Sequence, residues 1–438
     1  MPYEPILTRQ HITTCLIVSF AAAVAVFDAA VFWYQTELLS KIFFDERHLM
    51  TWLSNWYTLI MCSALAIGLP IGGVLFGWLG DRLGRKSSLI YSSAIVSITT
   101  IGLLCLPTSQ HFGHLPAVIL GVLRFIQGIG CGAILPIAFV IIAETLPTKR
   151  IGMGSGLILA SVVGGLMILG ILLNIINNSF SLYELISYAW RIPHAISAAL
   201  SIIGLWLLSK LSETPVFLSK NSVDAQQNGQ LISQIHLADS QSLHKCLPPP
   251  NLIAAIILSL IAAALLILIP VLFLPMYEIS FISSASAARF GGYVGLLFML
   301  LGCIFYGAMA DLNNAGRVLM MAGILLLIFS AGFIYHVQNG GGLVLVFFAL
   351  LGFATGLIGA VPAVMTRLFP TKHRLRGVAI TLTMAYACII ALLPFVTGQF
   401  LLYTAYTPLL YVMFIGLVTV FISFYIYYIP RTAQDLNR

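Results

Sequence analysis

A chain of 438 residues that is 60% hydrophobic and 8% charged, with a mean hydropathy of +1.02, is not a soluble protein, because soluble domains carry about 25% charged residues. Long apolar runs, in place of short alternating strands, exclude an outer-membrane barrel as well. The formal net charge of +7 needs no nucleic-acid partner, since the basic residues gather on one side of a membrane topology.

Each helical crossing needs about 20 mainly apolar residues. Twelve such runs follow one another, near 12–36, 52–76, 88–106, 116–143, 153–176, 190–209, 251–275, 289–309, 318–336, 342–366, 377–402 and 408–429. The first is too long for the apolar stretch of a signal peptide, and no small-residue cleavage site precedes a soluble domain, so no cleavable signal is expected. With both ends inside, 16 of the 21 Lys and Arg lie in cytoplasmic segments, which predicts cytoplasmic termini. The seven cysteines are spread singly along the chain, without the close pairs of a metal site or disulfide framework.

A charge at the bilayer centre costs about 2.5 to 3.5 kcal/mol on insertion scales, so ionisable groups inside the runs are functional candidates. In the first run this picks out Asp28, followed by Phe32, Trp33 and Tyr34; in the fourth it picks out Arg124, with Gln127 three residues on. At about 1.5 Å per residue both charges fall roughly 12 Å below the external face and can neutralise one another. Glu278, just after the break from Pro270 to Pro275, is placed to line the outer vestibule. Arg191 and Arg289 begin their runs from outside and are expected to snorkel to the interface.

After the second run comes Gly77-Trp-Leu-Gly-Asp81-Arg82-Leu-Gly84-Arg85-Lys86, and after the eighth Gly307-Ala-Met-Ala-Asp311-Leu-Asn-Asn-Ala-Gly316-Arg317. Glycines let helix ends approach, and a carboxylate at one end can bridge to guanidinium groups at the next, which makes a latch. After the fourth run comes Leu146-Pro147-Thr148-Lys149-Arg150, and after the tenth Phe369-Pro370-Thr371-Lys372. Both pairs repeat at nearly one period, so the chain divides into 1–210, a polar linker over 211–250 that reads as a mobile connection, and 251–438. Two related halves that rock against each other are the geometry of alternating access.

These loops, the span count and the linker resemble the major facilitator superfamily along the whole chain. Phe27-Asp28, Arg124-Phe-Ile-Gln127-Gly128, Ala143-Glu144, Trp190-Arg191-Ile192-Pro193 and Glu213-Thr214-Pro215-Val216-Phe217 are similar to one branch, the metabolite:proton symporters related to proline/betaine and α-ketoglutarate permeases. The resemblance implies an all-α polytopic membrane protein with twelve transmembrane helices in two pseudo-symmetric six-helix bundles. It implies a secondary active transporter, acting as a monomer in a bacterial inner membrane on an organic acid, amino acid or betaine-like zwitterion. Uptake would be coupled to protons, with no other cofactor and no metal. It also implies a cytoplasmic latch of Asp81 and Arg85 with Glu144 and Arg150, flanked by Gly77, Arg82 and Gly84, and a weaker copy at Asp311 and Arg317.

Two departures stand out. Branch members carry acidic residues where this chain has Ala25 and Ile134, so the coupling carboxylate is expected at Asp28, with Arg124 receiving an anionic substrate. The runner-up is a proton-driven exporter or importer of a siderophore or drug-like compound, although the stretch from Gly156 to Gly165 reads as small-residue packing rather than an export signature. An intramembrane enzyme would need convergent nucleophile, acid/base or metal residues, and no such motif is present.

Overall fold

The structure, a computed structural model, describes residues 7–43, 51–108, 115–219, 249–268, 285–339, 343–401 and 407–428. Twelve spanning helices carry the fold. The first six are α1 (Arg9–Tyr34), α2 (Thr51–Leu83), α3 (Arg85–Leu104), α4 (Leu115–Thr145), α5 (Ile151–Ser179) and α6 (Ile192–Ser209). The second six are α7 (Pro249–Leu268), α8 (Ala285–Leu312), α9 (Ala315–Gln338), α10 (Val344–Leu368), α11 (Arg374–Leu401) and α12 (Thr407–Tyr428). Eleven of them contain a stretch long and apolar enough to cross a membrane, and α7 contributes a shorter one, Asn251–Ile267. The protein is therefore a multi-pass integral membrane protein, with these twelve long apolar helices among the described residues.

The start of α1 and the end of α12 lie on one face, here called the terminal face. Gln10 at the start of α1 donates to Ser212 just beyond α6 at 3.0 Å, and Arg317 at the start of α9 donates to the Tyr427 hydroxyl at the end of α12 at 3.0 Å. An even number of crossings requires this.

Within each bundle the tightest contact joins its second and fourth helices, and small residues make it possible. A Cβ at Gly72 of α2 would strike the backbone at Ile129 of α4; in the second bundle, one at Gly352 of α10 would strike the backbone at Gly295 of α8. The same equivalence holds between bundles. α5 packs on α8, with Gly152 and Gly307 backbone to backbone, and α2 packs on α11, with Gly77 against Arg376. This pseudo-twofold pairing joins the two bundles through α2, α5, α8 and α11, with α4 and α10 also in contact across the seam.

The structure corrects two readings of the sequence. The Gly77–Arg82 segment is helix, not loop, because α2 runs on to Leu83 and the reversal is made by Gly84 alone, at φ +110°. The linker is also not loose from its start: Leu211, Thr214 and Phe217 are buried against the first bundle. The remainder of the linker, from 220 to 248, lies outside the described residues, as does Glu278.

Candidate functional site

Two polar clusters interrupt the apolar frame. The first lies inside the first bundle. Asp28 of α1 is fully buried, and its Oδ2 accepts from Thr100 Oγ1 of α3 at 2.7 Å and from Gln127 Nε2 of α4. Gln127 Oε1 in turn accepts from Arg124 Nη1 at 2.5 Å. Arg124 Nη2 donates to the Ala29 carbonyl at 3.2 Å, and its guanidinium lies over the Phe32 ring, 4.1 Å from the centroid. Asp28 and Arg124 thus belong to one cluster but are bridged rather than paired. An amide has both a donor and an acceptor end, so Gln127 can face a carboxylate on one side and a guanidinium on the other. Ser197 of α6 approaches the same carboxylate without closing a hydrogen bond.

A cavity lies between the two bundles, lined by Ala25, Trp33, Tyr34, Ile134, Thr383 and Tyr386 among others. On α1 its wall is an arc of Ala25, Val26, Ala29, Ala30, Trp33 and Tyr34. At 3.6 residues per turn Asp28 points about 150° away from the centre of that arc. A solute in the cavity therefore meets the far side of the helix that carries Asp28. The expectation that an anion competes directly for Arg124 is not matched in this state, since Arg124 is spent on Gln127, Ala29 and Phe32 behind the same helix. Ala25 and Ile134 do line the cavity, so the two positions that depart from the branch pattern alter its wall.

The second cluster closes the terminal face. Glu144, at the end of α4, is its hub: Oε2 accepts from Arg85 Nε at 3.1 Å and Thr214 Oγ1 at 2.8 Å, and Oε1 accepts from Arg85 Nη2 at 3.2 Å. Arg374, from the second bundle, reaches the same carboxylate at 4.0 Å. Arg85 also donates to the Gly80 carbonyl at 3.0 Å and stands 3.5 Å from Asp81. Glu213 accepts from the backbone N–H of Arg85 at 3.0 Å and of Lys86 at 3.2 Å, which caps the first turn of α3, where backbone donors have no partner within the helix. A Cβ at Gly84 would run into this Glu213 carboxylate.

Across the bundles the contacts are crossed caps. Asp81 of α2 accepts from the Arg376 N–H at the start of α11 at 3.4 Å. Asp311 of α8 accepts from the Gly152 and Met153 N–H groups at the start of α5 at 2.7 and 2.8 Å. Arg367 of α10 adds a bond to the Thr148 carbonyl at 3.2 Å. Each carboxylate sits at the positive end of the facing helix dipole.

Three sequence expectations change here. Arg150 does not join Glu144, whose guanidinium partners are Arg85 and Arg374; the exposed Arg150 side chain acts on Asp311 instead. Arg317 turns to Tyr427 rather than to Asp311. The second-half copy is also the shorter of the two crossed caps, although its motif is the more degenerate, because backbone N–H groups are supplied by any residue and need no matching arginine. Arg82 plays no bridging part among the described residues, and its guanidinium lies over Trp78 at 4.3 Å. Arg374 and Arg367 carry no role in the sequence reading; the basic run that follows Pro370-Thr371 is the available signal for Arg374.

The chain matches the family model described as "Sugar (and other) transporter" over residues 14–242. It is 27% identical over 415 residues to an ectoine/proline transporter, ProP, of Corynebacterium glutamicum, covering 90% of this chain and 79% of that one. It is 30% identical over 228 residues to the proline/betaine transporter of Escherichia coli K12, an alignment covering 50% of this chain and 43% of that protein. Among solved structures, the major facilitator superfamily proton:xylose symporter XylE bound to 6-bromo-6-deoxy-D-glucose superimposes with a TM-score of 0.76 at 17% identity, over 98% of this chain and 99% of that one. XylE of Escherichia coli in an inward open conformation matches with a TM-score of 0.62 at 15% identity, over 96% of each chain.

Proposed function

We propose, for a chain that belongs to the sugar (and other) transporter family, proton-coupled uptake of a small polar metabolite across a bacterial cytoplasmic membrane by alternating access, with an amino acid or betaine-like zwitterion as the first candidate cargo. The observation that carries this reading is the pair of crossed caps. Asp81 and Asp311 hold two rigid bundles shut at one face through a few hydrogen bonds to helix ends, a contact that can break and re-form as a unit. Asp28 is the coupling carboxylate, and the terminal face is cytoplasmic.

Uptake into proteoliposomes under an imposed pH gradient tests the reading, with L-proline, glycine betaine and a panel of mono-, di- and tricarboxylates offered in turn. Accumulation of one of these that collapses with a protonophore is expected. Accumulation that follows a sodium gradient at constant pH would remove protons from the mechanism. A second reading rests on the cavity wall: Ala25, Leu135, Ile134, Leu266 and Ile390 give it an apolar surface, which suits a siderophore or drug-like compound with little net charge. Saturable binding of such compounds, with none for the zwitterions, would favour it.

Orientation has its own test. In intact cells Cys246 of the linker should stay unlabelled by an impermeant maleimide and react once the membrane is permeabilised. Labelling from outside at the same rate would invert the topology.

A further inference from the structure

Asp28 must exchange a proton with water if it couples transport, yet it is fully buried and faces away from the central cavity. The groups beside it suggest where the proton travels. On α6 and the short turn before it, Ser197 Oγ, both ring nitrogens of His194 and Trp190 Nε1 are buried without a hydrogen-bond partner, and so is Asp28 Oδ1. His194 is fully buried, with its ring 4.7 Å from that of Phe32 and 6.0 Å from that of Trp190. Ser197 lies three residues further along the same helix, on the same face and about 4.5 Å deeper. The order from the outer end of α6 inward is therefore Trp190, His194, Ser197 and Asp28.

Buried polar atoms are almost always satisfied, by protein groups or by internal water. We propose that these groups line a short water-filled path inside the first bundle, and that His194 relays protons along it between the outer surface and Asp28. The inference rests on the reading of Asp28 as the coupling carboxylate. A neutral imidazole suits the task because one ring nitrogen accepts a proton while the other releases one, so the ring ends each transfer unchanged in charge. The groups that face the ring define its setting. They are Phe32 on α1, Arg124 on α4, and Trp190 just before α6. Arg191, one turn outward, is turned away to the carbonyls of Leu106 at 2.7 Å and Ser187 at 3.1 Å. This leaves His194 as the titratable group between the surface and the carboxylate among the described residues.

The relay is separable from a packing role by rate. In proteoliposomes given an external pH jump, with no solute present, the infrared carbonyl band of a protonated carboxylic acid should rise and should be absent in Asp28→Asn. His194→Phe keeps an aromatic ring between Phe32 and Trp190 but cannot pass a proton. It should slow the rise at least tenfold while leaving the final amplitude unchanged. His194→Gln serves the same purpose if the phenylalanine variant fails to fold. A wild-type rate in either folded variant would overturn the relay while leaving Asp28 as the proton site. A band that persists in Asp28→Asn would instead overturn the assignment of Asp28 on which the relay depends.

Discussion

Glu144→Gln is expected to cut proton-driven uptake at least a hundredfold at equal surface expression while leaving solute binding close to that of the wild type. Its carboxylate is fully buried and answers Arg85, whose side chain is 3% exposed, and Arg374, at 12%. Removing one member of such a group leaves the others as uncompensated buried charge, at a cost of about 3–5 kcal/mol. The penalty falls on the closed state, because opening the terminal face returns both arginines to water. The access equilibrium should shift toward the state open at the terminal face by about two to four powers of ten. Spin labels at Leu83 and Leu312, exposed positions on opposite bundles at that face, would report the change as a longer distance. An unchanged distance distribution together with unchanged uptake would mean that the cluster does not control access.

The same reasoning ranks the neighbouring carboxylates. Asp81→Asn removes one cross-bundle acceptor at 3.4 Å and leaves the contact of Arg85 with Glu144 in place. It is the milder lesion. Asp311 holds two N–H groups at 2.7 and 2.8 Å, and its loss frees the start of α5. The latch is thus distributed over both halves, with its charge concentrated in the first and its shortest bonds in the second.

How much of this was legible in the sequence follows from the range of each interaction. The twelve spans, the two halves and the latch motif depend on local hydropathy, on short motifs and on a repeat, all of which a linear reading exposes. The partners of the motif do not. Arg374 and Arg376 reach Glu144 and Asp81 from more than 200 positions away, and Arg150, nearest to Glu144 in sequence, stays exposed at its helix start. The bridge through Gln127 was half visible: residues three apart on a helix share a face, so Gln127 had to stand beside Arg124. Nothing in the pattern said that it would come between Arg124 and Asp28. The docking of Glu213 over the start of α3 was hidden for another reason, since a polar segment after a helix reads as linker until a facing set of unpaired N–H groups is known.

Asp28→Asn is expected to keep solute exchange and lose accumulation. For one proton moved with each solute, a gradient of one pH unit supports about tenfold accumulation; in the variant the ratio should fall to about one, with counterflow of preloaded solute unaffected. The reason lies in how the carboxylate is held. Ionised, Asp28 accepts from Thr100 and Gln127, and Gln127 passes the contact on to Arg124, which grips the Ala29 carbonyl. Protonated on its unpartnered Oδ1, it becomes a donor there and loses the charge that strengthens the bonds to Oδ2, so the hold on Thr100 and Gln127 loosens. Ala25, about one turn before Asp28, and Ala29, the residue after it, form part of the cavity wall, so a shift of α1 against α3 and α4 changes the surface that a solute meets. Proton and solute are linked through the helix between them, without contact. Reciprocity then requires that lower pH raise solute affinity by the same factor that solute raises proton affinity. The asparagine variant, fixed in a neutral side chain, should show an affinity that no longer varies with pH. If Asp28→Asn still concentrates solute on a pH gradient, the coupling group lies outside this cluster, and Glu278 is the next residue to substitute.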